Sequence, residues 1–586
     1  MQREIKKKTV TYGIAALMLT VVLTATIYNF GQLSPMQPVF SELKTFSSFE
    51  ELENFITTNT EIANNNQQLF QDKALVGRQE EQLAAPEAPT ATLDGNVVDY
   101  SGTNLQVAGV DEADVVKTDG EYLYVVAESA IYILKAFPAD QAVVLSKIDL
   151  NEAYGSQIYV NGNKLVVIID HPYFLYAEPA IATNTEGTKD EPVESMLPPY
   201  IYTPEINVKV YDITNKASPV LSRTVTVNGS LSGTRMIGDY LYAVVNQRAT
   251  QTNSDGTDIQ VNLPRVSGTH NKTVEPTEIY YIDIVDQVYY MTTVVAVDVA
   301  NDAAEPTIET FLTSQTSSMY VSTNNMYLIS PNMNNWLFLE STNEEPEDET
   351  LVYRVKLDKQ NMVVEAEGKV TGFVLNQFSM DEYNGYFRIA TTEWDNKWTE
   401  EEGFTSNSTN SLFIMDMNLD VVGKLENLAV GESIYSTRFM GERVYIVTFR
   451  QIDPFYVIDA SNPTQPTVLG YLKIPGYSSY LHPYDETHVI GVGMENSTLK
   501  LSLFDVTNVN SPVETAKYIV DADYSSSNVL WDHKGFLFDR TKNLLALPVS
   551  TNFYDTIIEP GTDPGVEPMT PSFDPDDEKP EEIIRD

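Results

Sequence analysis

A dense group of acidic side chains lies in the stretch VDEADVVKTD and consists of Asp111, Glu112, Asp114 and Asp119. Calcium takes several carboxylate and carbonyl oxygens as ligands, and a turn can supply them. The spacing is not that of an EF-hand loop, and a turn exposed to solvent would carry the same residues. The pattern makes calcium a candidate cofactor at these four residues and leaves a solvated turn as the alternative.

A second group of candidates, suited to binding a ligand, lies in the C-terminal half of the chain: Arg438, Arg450, Asp453, His482, Asp485, Asp532 and His533. Asp532 and His533 together could act as a general base. Adjacent residues of a strand point to opposite faces, however, so contact between these two side chains is not assured. The structural alternative is a histidine that bonds the backbone of a neighbouring sheet. His482 and His533 are both predicted near turns and could meet at one face.

Arg438, Arg450 and Asp453 flank two strands that follow each other in the chain. A buried pair of arginine and aspartate that fastens these strands explains them, and a central ligand pocket is the alternative. No residue is assigned a catalytic role. The sequence contains no Gly-x-Ser-x-Gly elbow, Walker loop, dinucleotide fingerprint or His-Glu-x-x-His motif.

The composition excludes several classes of function. The 586 residues include 83 acids and 37 bases, for a net charge of −46, and no cysteine. So negative a surface repels a phosphate backbone, which argues against nucleic acid as a partner, and it suits an exterior medium. Without cysteine the chain has no disulfide, zinc–thiolate site, iron–sulfur cluster or cysteine nucleophile.

The N-terminal end of the sequence is predicted to cross a membrane. Residues 10–30 contain no charged side chain and are long enough to span a bilayer as a helix. The basic residues among residues 1–9 place that end in the cytoplasm and the rest of the chain outside. The predicted location is therefore the cell membrane, with a single span. A cleaved signal peptide, which would make the protein secreted, is the alternative.

Residues 31–103 are predicted to form a helical stalk and a linker. Within them, residues 41–71 have an amphipathic helical pattern, in which Ser48 and Glu51 form a capping box and Leu52, Phe55 and Ile56 share one face. The polar residues that follow suit a tether.

Residues 104–550 consist almost entirely of strands and turns in two alternating patterns. The first is a turn with Gly or Asn followed by an alternating apolar strand, as in GEYLYVVAE from Gly120; it occurs eight times. The second is a strand that ends in Asp before a turn closed by Pro, as in VIDASNPTQP from Val457. This repetition, without helix-length patterns between strands, predicts an all-β fold: a single β-propeller of seven or eight blades. An elongated array of β-sandwiches is the alternative.

Two kinds of segment fall outside the repeats. Polar insertions, among them residues 393–410, are predicted to be loops. Residues 551–586, rich in Pro, Asp and Glu, are predicted to be a disordered acidic tail.

Several stretches resemble the exported bacterial and archaeal β-propeller-domain proteins that are distantly related to WD40 repeats. They include NLQVAGVDEADVVKTDGEYLYVV from Asn104, TRMIGDYLYAV from Thr234 and WDHKGFLFDRTKNLL from Trp531. The resemblance covers residues 41–550 and implies a single propeller behind a membrane-proximal N-terminus, without a particular activity. Such proteins continue past the segment matching residues 544–550 with another blade's worth of strands, where this chain has its acidic tail. Residues 104–117 are the N-terminal candidate for the closing seam, and the sequence leaves open whether the ring closes.

The predicted function is a membrane-anchored binding or scaffold module at the cell envelope, acting as a monomer on an envelope protein or polysaccharide. A secreted propeller hydrolase or lyase that acts on polysaccharide is the alternative, and it needs two carboxyl groups that face one cleft. A structural calcium protein is a third possibility.

Overall fold

The two patterns of the sequence become the hairpins of seven four-stranded antiparallel sheets. In this computed structural model the description covers residues 43–71, 102–150, 156–171, 174–176, 200–202, 204–252, 259–268, 270–286, 288–332, 349–399, 403–449 and 453–553. Each sheet contains one blade of four strands that are neighbours in the sheet, and short additional strands extend two of the sheets to six strands. In blades 2 and 3 other short strands lie between the second and third strands in the chain.

The blades follow one another along the chain. Blade 1 consists of Val116–Thr118, Tyr122–Ala127, Ala130–Lys135 and Val143–Asp149; blade 2 of Gln157–Asn161, Lys164–His171, Glu205–Asp212 and Val220–Asn228; blade 3 of Ser230–Ile237, Tyr240–Arg248, Tyr290–Asp298 and Thr307–Thr313. Blade 4 consists of Ser318–Val321, Asn325–Asn332, Glu349–Asp358 and Asn361–Thr371; blade 5 of Met380–Tyr383, Tyr386–Thr399, Gly403–Met415 and Val421–Leu428. Blade 6 consists of Ser433–Met440, Arg443–Phe449, Asp453–Asp459 and Thr467–Ile474; blade 7 of Tyr477–Asp485, His488–Glu495, Thr498–Asp505 and Val513–Ile519.

Short strands extend or accompany the blades. Arg265–Ser267 and Asn271–Thr273 continue the outer edge of blade 2, and Ile279–Tyr281 and Lys44–Thr45 continue that of blade 3. Four further pairs are Phe174–Tyr176 with Tyr200–Tyr202, Thr250–Thr252 with Ile259–Val261, Tyr524–Ser526 with Ser550–Asn552, and Leu537–Asp539 with Leu544–Ala546. We call residues 524–552, which contain the last two pairs, the C-terminal wedge.

The first sequence pattern is the turn that joins the innermost strand of a blade to the second strand. Gly162, Gly238 and Gly441 occupy three of these turns with φ between 56° and 57°, a conformation that glycine adopts without steric cost. Seven of the eight copies open blades in this way. The eighth, which begins at Lys542, forms only the two-stranded hairpin of the C-terminal wedge. The described part of the chain therefore forms seven blades.

The second sequence pattern is the turn between the third and fourth strands, and it contacts the preceding blade. Asp212, Asp298, Asp459 and Asp505 each accept a hydrogen bond from the backbone N–H two residues later, at 2.8–3.0 Å. On blade 2, the Arg223 guanidinium donates to the carbonyl oxygens of Asp298 and Asn301 in the turn of blade 3, both at 3.3 Å. These turns therefore hold successive blades together.

The apolar core is divided into clusters that lie between successive blades, from blades 1 and 2 through blades 6 and 7. A further cluster packs the C-terminal wedge on blade 7. Within the described part of the chain, no cluster joins blade 1 to blade 7 or to the wedge, and Val116 and Val144 of blade 1 are 42% and 53% exposed. No sheet there combines strands of blade 1 with strands from the C-terminal end. The sheets are therefore not closed into a single ring.

Helix α1, Phe49–Gln71, is the amphipathic piece predicted within the stalk. The Ser48 hydroxyl accepts a hydrogen bond from the Glu51 N–H at 3.2 Å, while the Glu51 carboxylate accepts one from the Ser47 N–H at 2.7 Å. Leu52 and Ile56 are buried and pack with Tyr281 on the outer edge of blade 3. The first turns of the helix therefore lie on the propeller.

Two sequence predictions have a different outcome, and a third lies outside the described residues. Residues 104–117 do not form a closing strand; only Val116–Thr118 is a strand, and it begins blade 1. Residues 393–410 are not a loop, because Tyr386–Thr399 and Gly403–Met415 run as one long hairpin through them. The predicted span at residues 10–30 lies outside the described residues; among those that are described, no helix is long and apolar enough to cross a membrane.

Candidate functional site

Residues 104–114, which we call the axial segment, run between the innermost strands of the blades. The backbone of Asp111 exchanges hydrogen bonds with that of Met236 in blade 3, at 2.7 and 2.9 Å. The backbone of Asp114 does the same with Ile158 in blade 2, at 3.2 and 2.8 Å. Asn104 Nδ2 donates to Tyr480 Oη in blade 7 at 3.0 Å. Contacts with blades on several sides place this segment at the propeller axis.

Seven polar side chains from the axial segment, three blades and the C-terminal wedge surround the axis. We call them the axial cluster: Asn104, Glu112, Arg235, Arg438, Tyr480, His482 and His533. All seven are buried, with at most 9% of their surface exposed. Polar groups buried together in this way must bond one another or carry an energetic cost.

Glu112 is the acidic centre of the axial cluster. Its Oε2 lies 3.7 Å from Arg235 Nη2 and 3.4 Å from His533 Nε2, and its Oε1 accepts a hydrogen bond from the Gln106 N–H at 3.0 Å. Burial alone would raise the pKa of this carboxyl group. The charges of Arg235 and His533 outweigh burial and hold the pKa of Glu112 well below its usual range.

The low pKa of Glu112 predicts a loss of stability in acid. A carboxyl group with a lowered pKa in the folded state stabilises fully above its unfolded pKa, near 4.5, and this contribution disappears as the pH falls further. We expect the free energy of unfolding to fall more steeply between about pH 5 and pH 3 in the native chain than in Glu112→Gln. Denaturant titrations at several pH values measure this difference.

Burial raises the pKa values of Asp111 and Asp114, so these two groups act in the opposite direction. Both are present in the native chain and in Glu112→Gln. The difference between the two pH profiles therefore reports the loss of the Glu112 charge, including its effect on Asp111. Parallel pH profiles for the two chains would contradict the assignment of an ionised Glu112.

Arg438 lies on the innermost strand of blade 6 and makes no hydrogen bond and no ion pair with any described residue. The side chain of Asp453, its predicted partner, lies outside the described residues, so the fastening pair stays a prediction. Burial lowers its pKa to about 10, against the opposing effects of Tyr480, Asp381 and Tyr320. The guanidinium stays protonated at neutral pH.

His482 lies on the innermost strand of blade 7, which is adjacent to the blade that carries Arg438. Its Nδ1 lies 2.9 Å from Tyr480 Oη, and its Nε2 has no hydrogen-bond partner in the described structure. Burial, followed by the charges of Arg438 and His533, lowers the pKa of His482 to about 3, so the ring is neutral. His482 and His533, which the sequence predicts could meet at one face, are both fully buried near the axis.

A cavity of about 510 Å³ lies beside the axial cluster and is open to solvent. Blades 2 to 4, the axial segment, the residues just before blade 5 and the C-terminal wedge line it. Its polar side chains include Asp170, Ser232, Arg235, Ser318, Asn376 and Lys534. Ile168, Leu231 and Met319 supply an apolar part of the wall. We call this the axial cavity; its volume and mixed lining are typical of sites for small ligands.

The four predicted calcium ligands do not converge. The Asp111 carboxylate binds Lys117 Nζ at 2.7 Å, and Glu112 belongs to the axial cluster. The Asp119 carboxylate accepts hydrogen bonds from the Tyr122 N–H and the Tyr124 hydroxyl, both at 2.8 Å. Asp114 Oδ1 accepts one from the Val115 N–H at 2.7 Å. In the described part of the chain no three acidic or histidine residues are grouped to hold a metal ion.

The remaining predicted ligand-binding residues lie apart from the axis or outside the description. Asp485 accepts hydrogen bonds in its own hairpin, from the Thr487 N–H at 2.8 Å, and its pKa is lowered to about 2 because these bonds outweigh burial. Asp532 caps a short turn and binds Lys534 Nζ at 3.0 Å; its Oδ1 is 3.8 Å from His533 Nδ1, too far for a hydrogen bond. Arg450 and the side chain of Asp453 lie outside the described residues.

Arg235 is not among the site residues predicted from the sequence, although the sequence contains a signal for it. The residues Thr-Arg-Met-Ile-Gly from Thr234 match Thr-Arg-Phe-Met-Gly from Thr437. Both stretches end an innermost strand and place an arginine at its sixth residue. Aligning the repeats would have identified Arg235 as the equivalent of Arg438.

The fold and the axial cluster define a β-propeller protein whose centre is filled by polar side chains and by its own N-terminal segment. The chain belongs to the beta propeller domain family, which it matches over residues 100–566. It is 30% identical to an uncharacterized protein of Archaeoglobus fulgidus over 581 residues, with 91% of this chain and 90% of that protein covered. It is 32% identical to an uncharacterized protein of Methanocaldococcus jannaschii over 494 residues, with coverages of 78% and 75%.

Solved structures show only distant likeness. A mutant of Synechocystis apocarotenoid oxygenase has a TM-score of 0.28 and 10% identity, with 69% of this chain and 71% of that chain covered. A hypothetical selenium-binding protein of Sulfolobus tokodaii has a TM-score of 0.27 and 10% identity, with coverages of 68% and 91%. At these scores neither protein informs the function of this chain.

Proposed function

We propose that this protein is an extracytoplasmic binding module, held at the cell membrane by residues 10–30, that takes a polar segment of an envelope polysaccharide into the axial cavity. The observation that carries the proposal is the lining of that cavity, where polar groups from three blades, the axial segment, the residues before blade 5 and the C-terminal wedge converge around an apolar wall. The net charge of −46 keeps the domain away from anionic surfaces and disfavours nucleic acid as a partner. The protein acts as a monomer in this proposal.

The axial cavity suits recognition better than catalysis. Glu112 and Asp170 both line it, and a glycosidase needs two carboxyl groups of which one is protonated. The pKa of Glu112 is held well below its usual range, so this group stays ionised and is a poor proton donor. We therefore favour binding over the hydrolase or lyase.

The test is retention of the full-length chain by fractionated cell envelope. Ser318→Trp places an indole in the axial cavity and is expected to abolish saturable retention by the polysaccharide fraction. Ser461→Trp adds the same group away from the cavity, in the exposed turn between the third and fourth strands of blade 6, which we call its outer turn. This variant is expected to bind like the native chain. The unfolding temperature of both variants is measured alongside.

Two results would count against the proposal. Equal retention of Ser318→Trp and the native chain would remove the axial cavity as the site. Release of soluble glycan products during incubation, absent with Ser318→Trp, would establish the enzymatic alternative.

A further inference from the structure

Two neighbouring blades each direct a polar side chain to the axis from the same position of the innermost strand. Arg438 is the sixth residue of Ser433–Met440, and His482 is the sixth residue of Tyr477–Asp485. Blades 6 and 7 are adjacent, so these positions lie side by side around the axis. The charge of Arg438 contributes to the low pKa of His482, in agreement with this placement. Neither residue lines the axial cavity.

Arg438 is a buried cation without a bonded counterion. Only 9% of its surface is exposed, its Nε is fully buried, and the described structure offers its guanidinium no acceptor. Asp381 is the carboxylate that acts on it, but Arg388 already binds Asp381 Oδ2 through Nε, at 3.0 Å, and through Nη2. A charge buried in this way is strongly unfavourable unless something compensates it.

His482 supplies a second hydrogen-bond donor without an acceptor. Tyr480 Oη accepts from Asn104 Nδ2 at 3.0 Å and can donate its own hydrogen to His482 Nδ1 at 2.9 Å. In a neutral ring this arrangement puts the remaining hydrogen on Nε2, which is buried without a partner. Phe536 and Phe538 pack against the ring, with centroids 4.7 and 5.2 Å away, and hold its orientation.

We propose that a small inorganic anion of about the size of chloride binds at the propeller axis between the Arg438 guanidinium and His482 Nε2. A negatively charged acceptor neutralises the buried cation and accepts from both donors, whereas water accepts but leaves the charge uncompensated. A larger carboxylate ligand does not reach side chains that expose less than a tenth of their surface. The site is independent of the ligand proposed for the axial cavity.

The test titrates the full-length chain with sodium bromide at constant ionic strength, with gluconate as the large replacement anion. The unfolding temperature of the native chain is expected to rise with bromide and to saturate. Crystals grown in bromide should show an anomalous peak within hydrogen-bond reach of both Arg438 and His482. An unfolding temperature that is equal in bromide and gluconate, or bromide only at scattered surface positions, would overturn the proposal.

Arg438→Met should abolish the bromide response and, in gluconate, unfold at the same or a higher temperature than the native chain, because it removes an uncompensated charge. Arg443→Met is the matched control on the next strand, where the arginine pairs with Asp459 at 2.5 Å; it should keep the response. His482→Phe keeps an aromatic ring but loses the Nε2–H donor, and is expected to weaken bromide binding about tenfold. If Arg438→Met does not fold, an unchanged bromide affinity in His482→Phe overturns the proposal by itself.

Discussion

Replacing Glu112 by glutamine is expected to lower the free energy of unfolding by about 3 to 5 kcal/mol. Glutamine keeps the size of the side chain but removes the charge that faces Arg235 at 3.7 Å and His533 at 3.4 Å. Arg235 would then remain buried with only neutral acceptors, the Thr234 carbonyl and the Gln377 side chain. Denaturant unfolding of the full-length chain, followed by tyrosine and tryptophan fluorescence, measures the change.

Two further variants separate the loss of charge from other causes. Glu121→Gln changes an exposed carboxylate close in the sequence and should alter stability by less than about 0.5 kcal/mol. The double variant Glu112→Gln with Arg235→Met removes both members of the buried pair and should recover part of the loss. A Glu112→Gln chain as stable as the native one would mean that the axial cluster does not hold the propeller together.

Gly423→Ala is expected to destabilise the chain by about 3 kcal/mol. Gly423 lies on the outer strand of blade 5, where a Cβ atom would stand 2.1 Å from the Pro463 carbonyl oxygen and 2.9 Å from the Thr464 backbone. Both atoms belong to the outer turn of blade 6, so the methyl group would push two blades apart. Thermal unfolding and limited proteolysis of the full-length chain detect this separation.

Gly102→Ala provides the matched control, because a Cβ atom at Gly102 meets nothing within 4 Å. We expect its stability to match that of the native chain. Gly470 occupies the corresponding position of blade 6, where a Cβ atom would stand 2.6 Å from the Val509 carbonyl oxygen of blade 7. Normal stability of Gly423→Ala would show that the outer turns do not fasten the blades.

Much of the blade architecture could be predicted from the sequence because short stretches of neighbouring residues determine each hairpin. A turn residue such as Gly238 and the alternating strand after it define a hairpin within about ten residues, and Asp298 with its Pro-closed turn defines the next. The number of blades was less certain, because the hairpin at Lys542 has the same local pattern as a blade. It lacks the outer strands that complete one, and only the assembled sheets show this.

The axial cluster could be predicted only in part. Glu112, Arg438, His482 and His533 were identified as candidates, but nothing in the sequence indicated that Glu112 faces His533, 421 positions later (533 − 112). Such pairs depend on the curvature of the ring, which is a property of all the blades together. The structure does not support the calcium prediction for Asp111 and Asp119, and the reason is local. Lys117 and backbone N–H groups within the same turn occupy those carboxylates.

The axial segment also bears on the order in which the molecule can assemble. Each blade is made from one stretch of the chain and can form while the rest is still being synthesised. The hydrogen bond from Asn104 to the His533 carbonyl oxygen, by contrast, spans 429 positions, so the centre is completed only when the end of the domain has been made. Contacts of such long range slow folding. Until they form, we expect a partly synthesised propeller to consist of completed blades around an unfilled centre. The arginines and histidines of the axial cluster would then still be exposed to water.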